Sequence, residues 1–240
     1  MVDNLIETTA GVCKIVCEDV SDAIVFECSP DAGLMGNIIG WLLVDDLGME
    51  EIGYVESSYL PPLAILHDGL ALHPVRIYRK DNVVLFLSDV MFPADIVHDL
   101  TTVMCEWMLR NNSRKFLTFN SLIVQEKTEA IRGVGNCKES LDIINELDVP
   151  LFSYGMLKGL SGTLLSKGST YNIPGVCFLG ETLNQYPDPR AAADLVEVIN
   201  RVLGTDISNE PLIKEAEAIE SRVAMLSEQH SSDDESPLYM

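Results

Sequence analysis

Gly33-Leu34-Met35-Gly36-Asn37 lies between an apolar run and a helical pattern. Free backbone amides and a helix dipole at such a turn can hold an anion, so phosphate chemistry is the first candidate. The spacing is not that of a phosphate loop: no Lys-Ser/Thr pair follows, and the glycines do not read G-x-G-x-x-G. A tight strand-to-helix turn explains the same residues. His67-Asp68-Gly69 and His73-Pro74 could supply an acid–base pair, but no G-x-S-x-G elbow places a nucleophile beside them. Asp68-Gly69 reads equally well as turn chemistry. Glu56, Asp89 and Glu181 each follow a strand-like segment, where α/β folds gather ligand sites. Three such carboxylates could bind a metal or could cap helices.

Cys13 and Cys17 have no Cys/His pair following at zinc-site spacing. The other cysteines, Cys28, Cys105, Cys137 and Cys177, are scattered, mostly in apolar segments, as expected of buried reduced thiols in a cytoplasmic protein. No metal, no cofactor and no catalytic residue are expected. An α/β enzyme of the phosphorylase or ATP-dependent ligase kind, binding phosphate at residues 33–37, stands as the alternative.

A different chemistry lies at the other end of the sequence. Leu238-Tyr239-Met240 reads hydrophobic–Tyr–any residue and follows Ser231-Ser232-Asp233-Asp234-Glu235-Ser236-Pro237, a polar and acidic run. An apolar, aromatic end on a solvated leash is suited to insertion into a complementary pocket, with the tyrosine ring packed and its hydroxyl at the rim.

The elements that must carry these residues alternate between strand and helix. Residues 23–28 read as a buried strand, 51–56 as a short one, and 75–78 with 83–87 as a hairpin linked by Arg79-Lys80-Asp81-Asn82. Residues 116–124 and 175–179 are further strands. Ile38, Ile39, Leu42 and Leu43 fall on one helix face, with Gly48 as its stop. Ile96, Val97, Leu100, Met104, Trp107 and Met108 mark a second helix between 93 and 110. Asn136 with Glu139 suggests a reciprocal helix start, with the helix running to about Leu147. Asp188-Pro189 opens a strong helix that Gly204 ends. Trp41 and Trp107 lie in helical patterns and read as core residues.

This alternation predicts a three-layer αβα sandwich with a mixed, mostly parallel sheet. Residues 1–207 form the α/β domain. Residues 208–230 form a C-terminal helix whose Leu212, Ala216, Ile219, Val223 and Leu226 make a short heptad stripe, either packed on the parent domain or used in self-association. Residues 231–240 are a flexible acidic tail.

The net charge of −21 comes from 37 acidic and 16 basic residues. Such a field repels phosphate backbones and anionic lipid, so neither nucleic acid nor membrane is an expected partner. No apolar run of about 18 residues is present for a membrane span. The N-terminus has no basic start followed by an apolar stretch, and no signal peptide is expected.

Several stretches together resemble the PAC2 family of proteasome assembly chaperones in its archaeal branch. They are residues 33–40 and 47–57, Leu60-Pro61-Pro62, His67-Asp68-Gly69, His73-Pro74-Val75-Arg76-Ile77-Tyr78, Leu87-Ser88-Asp89, Gly180-Glu181-Thr182 and residues 186–193. The resemblance runs over roughly residues 20 to 226. It departs at Ser29-Pro30-Asp31-Ala32-Gly33, where many relatives carry a Pro-Gly pair.

The resemblance implies an αβα domain that self-associates into a small ring or tetramer, and a non-enzymatic chaperone or adaptor. It assigns binding of proteasome α subunits, or of the α ring, to Leu238, Tyr239 and Met240, with the Met240 carboxylate meeting a basic side chain. A proteasome activator that opens the α-ring gate is the neighbouring alternative.

Overall fold

The computed structural model describes residues 5–128, 130–183 and 187–219. The first strands, β1 (Ile6–Ala10) and β2 (Cys13–Cys17), fold back on each other as an antiparallel pair. β3 (Ile24–Cys28) leads through the turn at residues 29–34 into α1 (Met35–Leu47). Gly48 closes this helix in the left-handed conformation, φ 58°, with its amide on the carbonyls of Val44 and Asp45.

β4 (Glu50–Ser57) follows, then a small separate hairpin of β5 (Ile65–His67) and β6 (Leu70–Leu72). Asp68 and Gly69 form its turn at φ 49° and 80°, the two positive angles that a two-residue hairpin favours. The expected hairpin of residues 75–87 is β7 (Val75–Lys80) with β8 (Val83–Ser88). Its link is shorter than the sequence suggests, because Arg79 and Lys80 pair with Val84 and Val83.

α2 (Ala94–Arg110) buries all six apolar residues expected of it. β9 (Lys115–Ile123), β10 (Arg132–Gly135), α3 (Lys138–Glu146), α4 (Gly159–Tyr171), β11 (Gly175–Thr182) and α5 (Pro189–Leu203) complete the labelled elements. Asp188 caps α5 by accepting the Ala191 amide, with Pro189 in the first turn, and Gly204 ends it.

The main sheet has nine strands among the described residues, in the order β1-β2-β4-β7-β8-β3-β9-β11-β10. Its centre, β8-β3-β9-β11, is parallel. The remaining five pairings are antiparallel, so the sheet is mixed with a larger antiparallel share than the sequence pattern suggests. The difference comes from β1, β2 and β10, which were too short or too polar to register as strands.

Helices cover both faces and make the expected three layers. On one side α2 and α4 pack over Cys13, Ile15, Val25, Val84, Phe116 and Cys177. On the other α1, α3 and α5 pack over Phe26, Leu85, Leu117, Phe119, Val176 and Phe178. Adjacent residues of β3, β9 and β11 thus enter opposite cores, which is the period of two of a sheet buried on both sides.

Two expectations need correction. Asn136 and Glu139 do not form a reciprocal helix start: α3 begins after Cys137 with no side-chain cap. The Asn136 amide instead donates to the carbonyls of Leu165 (3.2 Å) and Ile173 (3.0 Å), while its oxygen accepts the Gly175 amide at 2.9 Å. It ties α3 to α4 and β11, a long-range use that local spacing does not reveal. Trp107 is fully buried as expected, but Trp41 is only half-buried and stacks on His67 with ring centres 5.2 Å apart.

After α5 the chain is helical again over residues 210–219. Leu212 and Ala216 are buried, and Leu212 joins the core under α5. The first positions of the heptad stripe therefore pack on the parent domain. Val223 and Leu226 lie outside the described residues.

Candidate functional site

At the carboxyl ends of β3 and β9 the chain leaves the sheet in opposite directions, β3 toward β4 and β9 toward β10 and β11. Such a divergence leaves a crevice in α/β folds. Here it is a cavity of about 650 Å³. Ser29, Asp31, Asn120, Ser121 and Ser161 contribute polar groups to it, and Leu34, Met91, Met156, Leu157 and Leu160 contribute apolar ones.

The Gly33–Asn37 turn forms one wall. Asp31 occupies the start of α1: its Oδ1 accepts the Met35 amide at 2.7 Å, and its Oδ2 accepts the amide of Ser121. The Leu34 amide donates to the Asp31 carbonyl at 3.2 Å, and the Gly33 amide to Ser121 Oγ at 3.0 Å. The three amides that would cradle a phosphate are therefore engaged, and the anion at this helix terminus is the protein's own. Burial pushes the Asp31 carboxyl up, with the donors from Ser121 and Met35 acting against it. Gly36 serves close packing, since a Cβ there would lie 2.5 Å from the Ser29 carbonyl oxygen.

Beneath the cavity lies Glu27, 1% exposed and next to the last residue of an apolar strand. Its Oε1 accepts the amide and the hydroxyl of Ser29, and its Oε2 accepts the hydroxyls of Thr118 and Ser161. Burial pushes this carboxyl up, and the four donors pull it back. Ser161 is the third residue of α4, which has no side-chain cap at Lys158. Glu27 thus meets the first turn of α4 through a side-chain hydroxyl, whereas Asp31 takes a backbone amide of α1. The sequence signal was a lone glutamate in the run Ala23-Ile24-Val25-Phe26-Glu27-Cys28.

The other candidate chemistries come apart. His67 packs on Trp41, whereas His73 stacks on Tyr54 with ring centres 3.9 Å apart. The two imidazoles hold different rings rather than one proton path. Glu56 pairs with Lys14 at 2.9 Å. Glu181 accepts the amide and hydroxyl of Thr128 at 2.6 and 3.0 Å. Asp89 accepts from Trp41 Nε1 (2.8 Å) and Asn37 Nδ2 (3.1 Å) and pairs with Arg76, which is fully buried under the faces of Trp41 and Tyr78.

Each carboxylate has structural partners, and among the described residues no three His, Cys, Asp or Glu side chains gather as metal ligands. Burial raises the Cys13 thiol to about 11 and the Cys17 thiol to about 12, values that keep them protonated. Cys137 alone of the six is exposed.

Leu238, Tyr239 and Met240 lie outside the described residues. Among the described residues no helix is long and apolar enough to cross a membrane.

Comparison with known proteins covers the whole body. The sequence model of the PAC2 family matches residues 25–227. The uncharacterized protein MJ0106 of Methanocaldococcus jannaschii is 31% identical over 92% of this chain and 94% of its own. The crystal structure of PbaA from Pyrococcus furiosus, described as an archaeal homolog of proteasome-assembly chaperone, superposes with a TM-score of 0.88. It is 33% identical and covers 93% of this chain and 95% of its own. PbaB of the same organism, described as an archaeal proteasome activator, shares the fold at a TM-score of 0.79 and 18% identity, covering 90% of this chain and 98% of its own. The match spans both cores and the turn at the cavity, and the chain belongs to the PAC2 family.

Proposed function

We propose that this protein is a non-enzymatic proteasome assembly chaperone or adaptor that binds proteasome α subunits, or the α ring, through Leu238, Tyr239 and Met240. The observation that carries the reading is the 33% identity to a proteasome-assembly chaperone homolog over 93% of the chain. A terminus of hydrophobic–Tyr–any type adds to it.

The proposed machine has three parts. Residues 1–207 form the body, 208–230 a helix that continues from it, and 231–240 the tail. The Met240 carboxylate meets a lysine in a cleft between two α subunits, Tyr239 packs its ring there, and Leu238 fills an apolar hollow. Pro237 stiffens the approach and reduces the entropy lost on docking. One such tail binds weakly. The body self-associates into a small homo-oligomer, and several tails then raise avidity by about 10²–10⁴ where the spacing matches. The protein works in the cytoplasm.

No catalytic step belongs to this reading. The engaged amides of residues 33–35 argue against the alternative of a phosphate-binding enzyme. Pull-down of proteasome α subunits by the full chain, beside a variant lacking residues 238–240, tests the proposal. Binding that survives the deletion removes the tail from the mechanism. Peptidase assays on mature proteasome separate assembly from gate opening: stimulation by the full chain would assign it to activation.

A further inference from the structure

The hairpin β5-β6 stands apart from the main sheet. Its register pairs Ile65 with Leu72, Leu66 with Ala71 and His67 with Leu70. Alternation puts Ile65, His67, Leu70 and Leu72 on one face, and Leu66 with Ala71 on the other. The first face turns to the body, where His67 stacks on Trp41. The second carries no polar side chain, yet Leu66 is 77% exposed and Ala71 is exposed beside it. Strands apolar on both faces have the pattern of strands covered on both. Two strands of three residues are also too short to be stable unaided.

Charge narrows what covers the outer face. The chain has 37 acidic residues, but residues 59–74 hold one, Asp68 at the hairpin turn. A basic partner would be met by acids, whereas this stretch offers Leu63, Leu66 and Leu70, all exposed. Two copies of a chain of net charge −21 repel each other, so they meet most readily where acids are few.

A complementary surface lies on the same chain. Met91 and Met156 are exposed at the cavity between β3 and β9, which Leu34 and Leu157 also line. Methionine side chains adapt to apolar groups of different shape. Lys158 is the one basic side chain among the described lining residues, and it stands at the start of α4, where no side chain caps the helix. The exposed Asp68 carboxylate matches both the lysine and the positive end of that helix.

We infer that the hairpin of one copy seats on the cavity mouth of a second copy. The inference rests on the self-association in the proposed function and names its contact. Leu66 packs against Met91 and Met156, and Asp68 meets Lys158 at the rim. A projection on one surface that fills a hollow on another makes a heterologous contact, the kind that closes into rings. Residues 238–240 take no part in it.

Sedimentation velocity of the full chain and of two variants tests the inference. Leu66→Asp spoils the hairpin and keeps the cavity mouth, while Met156→Lys spoils the mouth and keeps the hairpin. Both positions are largely exposed, Met156 at 88%, so near-UV circular dichroism and Tm should stay at wild-type values. Wild type should sediment as an oligomer and each variant alone as a monomer. An equimolar mixture should associate again, because one variant supplies the intact hairpin and the other the intact mouth. Assembly by either variant alone overturns the inference, as does a mixture that stays monomeric. A monomeric wild type overturns it together with the self-association it rests on. Deletion of residues 238–240 should leave sedimentation unchanged, which keeps failure of this contact distinct from failure of the tail.

Discussion

Glu27 and Ser161 are 134 positions apart in the chain, and their side chains meet at 3.1 Å beneath the cavity. The contact joins the carboxyl-terminal end of β3 to the first turn of α4 and passes through Thr118 on β9, whose hydroxyl lies 2.6 Å from that of Ser161. Two strands of the parallel centre and one covering helix are held together by one buried acid. A carboxyl at this depth is tolerable only because every oxygen is hydrogen-bonded.

Ser161→Ala should therefore destabilise the fold by about 1–3 kcal/mol, the usual effect of depriving a buried acceptor of its donor. For a chain of this size that is a fall in Tm of about 2–4 °C per kcal/mol, measurable by calorimetry. A Tm equal to wild type would mean that Thr118 and Ser29 satisfy the carboxyl unaided.

The same acid gives a pH signature. Burial holds the Glu27 carboxyl above its ordinary value of 4.5, so the folded chain keeps that proton longer than the unfolded chain does. Its contribution is complete below 4.5 and is lost as pH rises through the raised value. Glu27→Gln cannot titrate. Denaturation at several pH values should show the stability of Glu27→Gln improving relative to wild type as pH rises above 4.5. A difference that stays flat, or that moves the other way, contradicts the direction assigned to Glu27.

Two glycines near α1 should respond differently to alanine. At Gly36 the new Cβ would lie 2.5 Å from the Ser29 carbonyl oxygen, a backbone atom that moves only with the whole turn. Gly36→Ala should cost about 1–3 kcal/mol by overpacking. At Gly48 a Cβ meets nothing within 4 Å, and the penalty comes from φ 58° alone. Gly48→Ala should cost about 1 kcal/mol. Urea titration of both variants tests the order.

Arg76 and Asp89 form an unequal pair. The arginine side chain is fully buried, whereas that of Asp89 is 14% exposed and also accepts from Trp41 and Asn37. Asp89→Ala removes the hydrogen-bonded partner of a buried guanidinium packed on the rings of Trp41 and Tyr78, and should cost about 3–5 kcal/mol. Arg76→Met keeps the volume and leaves Asp89 with its two neutral donors, so its effect should be smaller. Unfolding followed by tryptophan fluorescence reads both, and a reversed order would mean that Asp89 depends on the arginine.

How much of this was legible follows from which interactions are local. α1, α2 and α5 were readable because periodicity and terminal residues agree: Gly48, Gly204 and the Asp188-Pro189 cap act within a few positions. α4 was not, because Gly159-Leu160-Ser161-Gly162 and Gly168 give it weak intrinsic helicity. It is held by tertiary packing: Leu164 is fully buried, and a Cβ at Gly168 would lie 2.6 Å from the Phe116 ring. The Gly33–Asn37 turn was located correctly. Its chemistry was hidden because the partner of its amides, Asp31, is fixed by Ser121 from β9. The cavity is equally non-local, being assembled from segments near residues 30, 120 and 160.

On the proposed function, the two halves of the tail should act on different rate constants. Asp233, Asp234 and Glu235 carry charge at the approach to the pocket, and charges outside the contact itself act mainly by steering encounter. Changing all three to their amides should lower the association rate with α subunits and leave dissociation nearly unchanged. The effect should fade as salt rises, since the screening length falls from about 10 Å at 0.1 M to about 3 Å at 1 M. Tyr239→Ala removes a ring buried in the contact and should instead raise the dissociation rate, with little change in association. Surface-immobilised α subunits and a salt series measure both. Equal effects of the two variants on dissociation would place the acidic run inside the contact and remove its steering role.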